Sequence, residues 1–267
     1  MDTALRHRVN AARVALLNQV SFFRSEFGQA SSEWKEDDTR VTFVDFAISE
    51  HVFAELRRYF SKDDFCSEES NPGDEVLSLE NKYAWVIDPI DGTNNYAIGI
   101  PFCAISLALL KNGEPVYGLV YDFGADRLIE GGPGFGLWVG KRRIEVRARP
   151  FSRREGVVGI HFPVSEAVLG QLAPMLGRYR MRSLGSGALN LAYTALGLLD
   201  GCIDHKVKVW DIAAGVALAG ATGRCIEYVE TSPFPLRKFH VEAPLVPYFA
   251  GSEEFCAYAR DLLGIES

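Results

Sequence analysis

Cysteine is scarce and unpatterned in this chain: Cys66, Cys103, Cys202, Cys225 and Cys256 are odd in number, widely scattered, and form no C-x-x-C pair. That excludes a disulfide framework and makes free, buried thiols the expectation. Long apolar runs are missing too. None approaches the roughly eighteen residues that a membrane-spanning helix needs, and Asp2, Arg6 and Arg8 have no uninterrupted apolar segment behind them, unlike a secretory leader. No membrane partner is expected, and the expected location is cytoplasmic. Nor is there an excess of positive charge. The 28 basic residues stand against 35 acidic ones, a net charge of −7, which argues against nucleic acid as a main partner and leaves only local basic patches open. Repeats and low-complexity segments are absent. The glycine-rich Gly131-Gly132-Pro133-Gly134-Phe135-Gly136 is followed by no Lys-Ser/Thr pair, so it reads as a turn between strands and not as a phosphate loop. What is present is a chain of 267 residues, 48% of them hydrophobic, enough for one large core or two small lobes.

The densest chemical signal is Trp85-Val86-Ile87-Asp88-Pro89-Ile90-Asp91-Gly92-Thr93-Asn94-Asn95-Tyr96. An apolar run from Tyr83 to Ile87 reads as a buried strand, and it ends in two aspartates with a proline between them. Pro89 fixes φ and Gly92 permits a tight turn, so the two carboxylates can converge. Converging acids repel, and a hard divalent cation with oxygen ligands accounts for the pattern. Gly92 and Thr93 would then open a helix whose free N–H groups suit an anion such as phosphate. An Asx-type turn with Asp91 as a helix cap is the plainer reading of the same residues. The acids are three apart, not two, which excludes the D-x-D pattern of the haloacid dehalogenase phosphatases.

Elsewhere the chain reads mainly as scaffold. Leu5, Val9, Ala12, Leu16, Val20, Phe23 and Phe27 mark an amphipathic helix over 3–27, capped by Thr3 and stopped at Gly28. After a charged loop, Trp34 to Arg40, a second helix carries Ile48, Val52, Leu56 and Tyr59. Thr42 and Asp45 have the spacing of a capping box there, so Asp45 is open to a structural and a chemical reading. Glu68 and Glu69 follow in Cys66-Ser67-Glu68-Glu69-Ser70-Asn71, which alone would pass for solvated surface. Runs Cys103 to Leu110 and Pro115 to Tyr121 flank Asn112-Gly113, a hairpin signal. Near Arg149-Pro150 the pattern shifts to alternation: strand Gly156 to His161, helix Glu166 to Leu176, strand Tyr179 to Ser183, helix Ala188 to Leu198. A lobe boundary is therefore expected at about 145 to 155, dividing an α+β lobe, 1–150, from an α/β lobe, 151–267. Ser183-Leu184-Gly185-Ser186-Gly187 opens a helix with close backbone approach. In Trp210-Asp211-Ile212-Ala213-Ala214-Gly215 an acid sits in the first turn of a small-residue helix, as a cap or as a ligand. A closing helix runs from a Ser252 cap to Leu262.

Taken together these residues resemble the inositol monophosphatase family, within the lithium-sensitive, magnesium-dependent phosphatase superfamily. The resemblance runs through V-T-x-x-D (Val41 to Asp45), E-E-S (Glu68 to Ser70), W-V-I-D-P-I-D-G-T-N-N-Y, S-L-G-S-G (Ser183 to Gly187) and W-D-I-A-A-G (Trp210 to Gly215). It implies a layered α-β-α-β-α sandwich of the sugar-phosphatase type in two lobes, a homodimer, and two or three magnesium ions held by Glu68, Asp88, the Ile90 carbonyl, Asp91 and Asp211. It implies that Thr93, supported by Asp45 and with Glu68 assisting, holds the attacking water, and that Gly92 and Thr93 bind phosphate through their N–H groups. Asp91, Ser186, Gly187 and Asp204 would face the released alcohol. The implied activity is a magnesium-dependent phosphomonoesterase acting on a small phosphorylated alcohol or sugar by metal-activated water attack. Histidinol phosphate, fructose bisphosphate and adenosine 3',5'-bisphosphate are the competing substrates to inositol phosphate, and a non-catalytic regulatory scaffold is the reading of a different class. Two departures stand out. Asp204 takes the place of a glutamate that reaches substrate hydroxyls in inositol-type members, and Lys206 and Lys208 follow it. On a strand both lysines would share its face, as anion contacts or as a solvated basic edge.

Overall fold

Continuous apolar strands, buried at nearly every position in Tyr83–Asp91 and Ala104–Lys111, call for a sheet covered on each side, and that is how the chain folds. The computed structural model describes residues 3–34, 40–70, 75–146, 151–152 and 155–265. In chain order these form α1 (Thr3–Ser25), β1 (Ser32–Trp34), β2 (Arg40–Thr42), α2 (Phe43–Arg57), β3 (Asp64–Ser67), β4 (Leu77–Ser78), β5 (Tyr83–Asp91), α3 (Thr93–Ile98), β6 (Ala104–Lys111), β7 (Glu114–Asp122), β8 (Arg127–Gly132), β9 (Gly136–Val139) and β10 (Arg142–Ile144). There follow β11 (Val157–Ile160), α4 (Glu166–Leu176), β12 (Arg180–Arg182), α5 (Gly187–Ala195), β13 (Gly201–Asp204), α6 (Val209–Thr222), β14 (Cys225–Tyr228), β15 (Lys238–Phe239), β16 (Tyr248–Gly251) and α7 (Glu253–Leu263).

Strands β10-β9-β8-β7-β6-β5-β3 make a seven-stranded sheet, antiparallel throughout except for the parallel β3–β5 pair. A five-stranded sheet, β12-β11-β13-β16-β14, joins two parallel pairings to two antiparallel ones. Four apolar clusters lie between successive layers. Trp85, Ile87, Ile105 and Leu107 on one face of the large sheet pack under Leu16, Phe23, Ile48 and Val52 of α1 and α2. Ala84, Val86, Ala108 and Val120 on its other face meet Ala188, Ala192, Ala213 and Ala214 of α5 and α6. Leu191 and Ile212 of the same helices meet Cys202, Tyr248 and Ala250 of the small sheet. Its outer face, with Val158, Ile203 and Phe249, is covered by Leu172 of α4 and Phe255 of α7. The order is α-β-α-β-α, the expected sandwich. Burying one of the Leu, Ile, Val or Phe side chains among these contributes about 1.5–3 kcal/mol.

The small residues of α6 let it lie directly on the large sheet. A Cβ on Gly118 of β7 would fall 2.2 Å from the Ala214 carbonyl oxygen, so only glycine permits that approach. Several boundaries differ from expectation. α1 ends at Ser25, and Gly28 sits in the turn beyond it with φ of 67°. Thr3 is already helical and so does not cap α1; the residues before it lie outside the described residues. Tyr59 is 75% exposed and lies past the end of α2, because the helix stops before its apolar stripe would reach that far. Helix α5 stops at Ala195, not Leu198. The hairpin turn is as read, with Asn112 and Gly113 both at positive φ. Residues 35–39 of the charged loop, Asn71, and 147–150 and 153–154 of the proposed lobe boundary lie outside the described residues.

Candidate active site

Side chains three apart on a regular strand point to opposite faces, so Asp88 and Asp91 need a local irregularity to meet. β5 supplies it. Asp88 pairs with Ser106 and Asp91 with Ala104, so β5 holds one more residue than β6 over that interval. Such a bulge re-aims side chains, and Pro89, with no N–H to place in the ladder, suits it. Oxygens of Asp88, Asp91 and Asp211 then come within 4.8 Å of one another, three groups able to hold a metal ion. Asp211 arrives from the first turn of α6, where its Oδ2 accepts the Lys208 N–H at 2.6 Å. Glu68 follows β3, whose Ser67 pairs with Ile87, and its charge acts on Asp45, Asp88 and Asp211.

The electrostatics are those of an acid cluster without its counter-charge. Burial, reinforced by Glu68, Asp91 and Asp211, pushes the Asp88 pKa well above the usual carboxylate range. Burial, with Asp91 and Glu68, does the same to Asp211. Asp91 is pushed up to about 6 by burial, although Ser186, Ala188, His161 and Gly187 all act the other way. Asp88 is 1% exposed, and its Oδ1 has no hydrogen-bond partner. A buried carboxylate oxygen left in that state calls for an explanation. A hard divalent cation fits both the orphaned oxygen and the all-oxygen donor set.

Asp91 is held as well as converging. Gly187 and Ala188 donate their N–H groups to it at 3.0 and 2.9 Å, and the Ser186 hydroxyl donates to Oδ2. Ser186 and Gly187 thus secure Asp91 with the start of α5, the position where a helix favours negative charge. The plainer reading of Asp91 does not hold: it ends β5, and the cap of α3 is Gly92. Gly92 has φ of 86°, and a Cβ there would lie 2.8 Å from the Phe102 carbonyl oxygen, so no other residue fits without strain.

Thr93 begins α3 at that glycine, and its hydroxyl donates to the Ile90 carbonyl at 2.7 Å and lies 3.4 Å from Asp45 Oδ1. Asp45 fulfils both readings at once. Its Oδ2 accepts the Thr42 N–H and hydroxyl, each at 2.7 Å, which completes the capping box, while Oδ1 turns toward Thr93. Burial pushes the Asp45 pKa up to about 8, Thr42 opposing and Glu69 and Glu68 adding to the shift. The rest of the motif braces the loop. The Asn95 amide donates to the Phe102 and Leu184 carbonyls at 2.8 and 2.7 Å, and the Tyr96 hydroxyl donates to the Phe23 carbonyl at 2.7 Å.

The Asp204 neighbourhood departs from the strand reading. β13 ends at Asp204, so Lys206 and Lys208 do not share its face. Asp204 is 0% exposed; its Oδ1 accepts the Lys206 N–H at 3.0 Å, and its Oδ2 lies 3.2 Å from Nδ1 of His161. Lys208 turns away, its ammonium donating to the carbonyls of Val241 and Ala243. His161 is the residue the sequence reading missed. Its signal is positional: it directly follows an apolar strand, as the acid pair ends one. A second potential donor group, Cys225, Glu227 and Cys256, also lies within 4.8 Å, but Arg260 donates to both oxygens of Glu227 and already balances its charge.

The family model described as the inositol monophosphatase family matches residues 2–260. The chain belongs to this family. Family membership makes it a phosphatase, hence a hydrolase. A relative from Aquifex aeolicus named fructose-1,6-bisphosphatase/inositol-1-monophosphatase is 30% identical over 82% of this chain and 84% of its own. Among solved structures, extragenic suppressor protein suhB from Bartonella henselae is 27% identical with a TM-score of 0.83, covering 98% of this chain and 100% of its own. An inositol monophosphatase from Anabaena is 26% identical with a TM-score of 0.78, over 98% and 97% of the two chains. The layered sandwich of this inositol monophosphatase family member is thus shared along nearly its whole length.

Proposed function

We propose that the protein is a magnesium-dependent phosphomonoesterase for a small phosphorylated alcohol or sugar. The observation that carries this reading is the convergence of Asp88, Asp91 and Asp211 across the β5 bulge, with one oxygen of Asp88 left without a partner. Asp88, Asp91, Asp211, Glu68 and the Ile90 carbonyl would hold two or three magnesium ions. When bound, the cation makes a coordinated water more acidic and offsets negative charge on phosphate and leaving oxygen. The protein's own groups then supply position. Thr93, with Asp45 behind it, orients the attacking water and accepts its proton through that pair. The N–H groups of Gly92 and Thr93 bind phosphate oxygens. Ser186, Gly187 and Ala188 keep Asp91 in place.

The lobes 1–150 and 151–267, a homodimeric state and a cytoplasmic location belong to the same proposal. The division is supported by the seven-stranded and the five-stranded sheet each drawing its strands from one side of it, while the short β4–β15 pair crosses it. Phosphate release from inositol 1-phosphate, fructose bisphosphate, histidinol phosphate and adenosine 3',5'-bisphosphate, with and without magnesium, tests the activity. Magnesium-dependent turnover of at least one is expected. None on these or on a broad phosphoester panel would overturn the reading and favour a regulatory scaffold, which the intact acid set otherwise speaks against.

A further inference from the structure

Strands β12, β11 and β13 are parallel, so their carboxyl ends share one edge of the small sheet, the edge where α/β proteins gather ligand-binding groups. Two of them demonstrably deliver to the acid cluster. β12 leads to Ser186 and Gly187, which hold Asp91, and β13 leads to Asp204 and then to Asp211 in α6. The third, β11, ends at Ile160 opposite Ile203. The next residue, His161, therefore stands beside Asp204, and the two side chains meet at 3.2 Å.

The division of labour within this pair follows from exposure. The Asp204 side chain is 0% exposed and the His161 side chain 25%, and both Asp204 oxygens already have partners, Lys206 N–H and His161 Nδ1. Asp204 is thus enclosed, and the imidazole carries the pair's polarity outward. A buried carboxylate accepts, so Nδ1 bears the proton and fixes the ring, leaving Nε2 as the group that faces away.

Resting on the phosphatase reading above, we propose that His161, positioned by Asp204, selects the alcohol part of the substrate by hydrogen-bonding through Nε2 to one of its hydroxyl groups. The site then prefers polyhydroxylated phosphomonoesters over phosphoesters whose leaving group has no hydroxyl. Asp91 and Asp211 also act electrostatically on His161. A hydroxyl can donate or accept, so the pairing does not depend on the protonation of the ring.

Steady-state kinetics with saturating magnesium test this, comparing p-nitrophenyl phosphate with whichever of inositol 1-phosphate or fructose bisphosphate the wild type turns over faster. His161→Ala is expected to raise KM for the polyol substrate about tenfold, the range of one hydrogen bond to a buried or charged partner. Its kcat should change little, and both constants for p-nitrophenyl phosphate should stay near wild type. His161→Gln, whose amide comes close to the place of Nε2, should recover part of the loss. Equal losses on both substrates would reveal a merely structural role, and an unmoved KM for the polyol would remove the contact; either overturns the inference alone. A wild type inactive toward every phosphoester would instead overturn the phosphatase reading, and this inference with it.

Discussion

Asp91→Asn is expected to lower kcat/KM on the order of 10³-fold or more, the upper range for removing one preorganised electrostatic group. The substitution keeps shape and changes two things. It removes one of the negative charges that make the bulge a cation site, and it sets an NH2 group against donors. Asp91 accepts from three groups, the N–H of Gly187, the N–H of Ala188 and the Ser186 hydroxyl, with its two oxygens divided among them. Whichever way the asparagine turns, at least one backbone N–H of α5 faces an amide nitrogen and loses its acceptor, at a cost of about 1–3 kcal/mol. The α5 start and the cation site should loosen together. Phosphate release at saturating magnesium measures the effect, with circular dichroism to confirm the fold. A variant within tenfold of wild type would show that Asp91 is only a brace for α5.

Thr93→Ala is expected to cost on the order of 10²-fold or more in kcat, as for loss of a positioning or proton-handling group, while leaving the magnesium response intact. The hydroxyl lies between the Ile90 carbonyl and Asp45 Oδ1. Thr93→Ser keeps that hydroxyl and should retain most of the rate, although the freer side chain holds it less firmly. Near-full turnover in Thr93→Ala would end the assigned role. A parallel loss of the magnesium response would move Thr93 from water positioning to support of the Ile90 carbonyl.

Much of this site is legible in the sequence because its parts are local. The Thr42–Asp45 box, the apolar strand running into Asp88 and Asp91, the Gly92 turn into α3 and the acid in the first turn of α6 all rest on short-range spacing. The apolar runs of β5 to β7 and the small-residue helix α6 are legible in the same way, whereas the layered order of the sandwich comes from the family resemblance. What stayed hidden depends on partners distant in sequence. The bulge exists only against β6. The grip of α5 on Asp91 joins residues 96 apart, and the His161–Asp204 pair joins residues 43 apart. The strand reading of Lys206 and Lys208 failed for a related reason. Asp204 ends β13 by accepting the Lys206 N–H itself, and Lys208 finds its acceptors on the segment near Val241, contacts that no local pattern announces.

The central claim is that the acid cluster is a cation site, and melting temperature against added magnesium at pH 8 tests it most directly. Folded-state pKa values raised from 3.8 to about 6 for Asp91 and about 8 for Asp45, with Asp88 and Asp211 also raised, fix the sign. The folded state keeps these protons where the unfolded chain has released them. Without a cation, the stability these groups contribute is therefore full below about pH 4 and falls as pH rises through the folded values, about 6 for Asp91 and about 8 for Asp45. A cation that binds only the folded protein adds about 2.7 kcal/mol at a hundredfold excess over its dissociation constant, roughly 5–10 °C in melting temperature. Wild type should show that rise. Asp88→Asn, with less repulsion and weaker cation affinity, should begin as high or higher and gain clearly less. Equal magnesium-induced rises in the two proteins would contradict the claim, because Asp88 would then hold no metal.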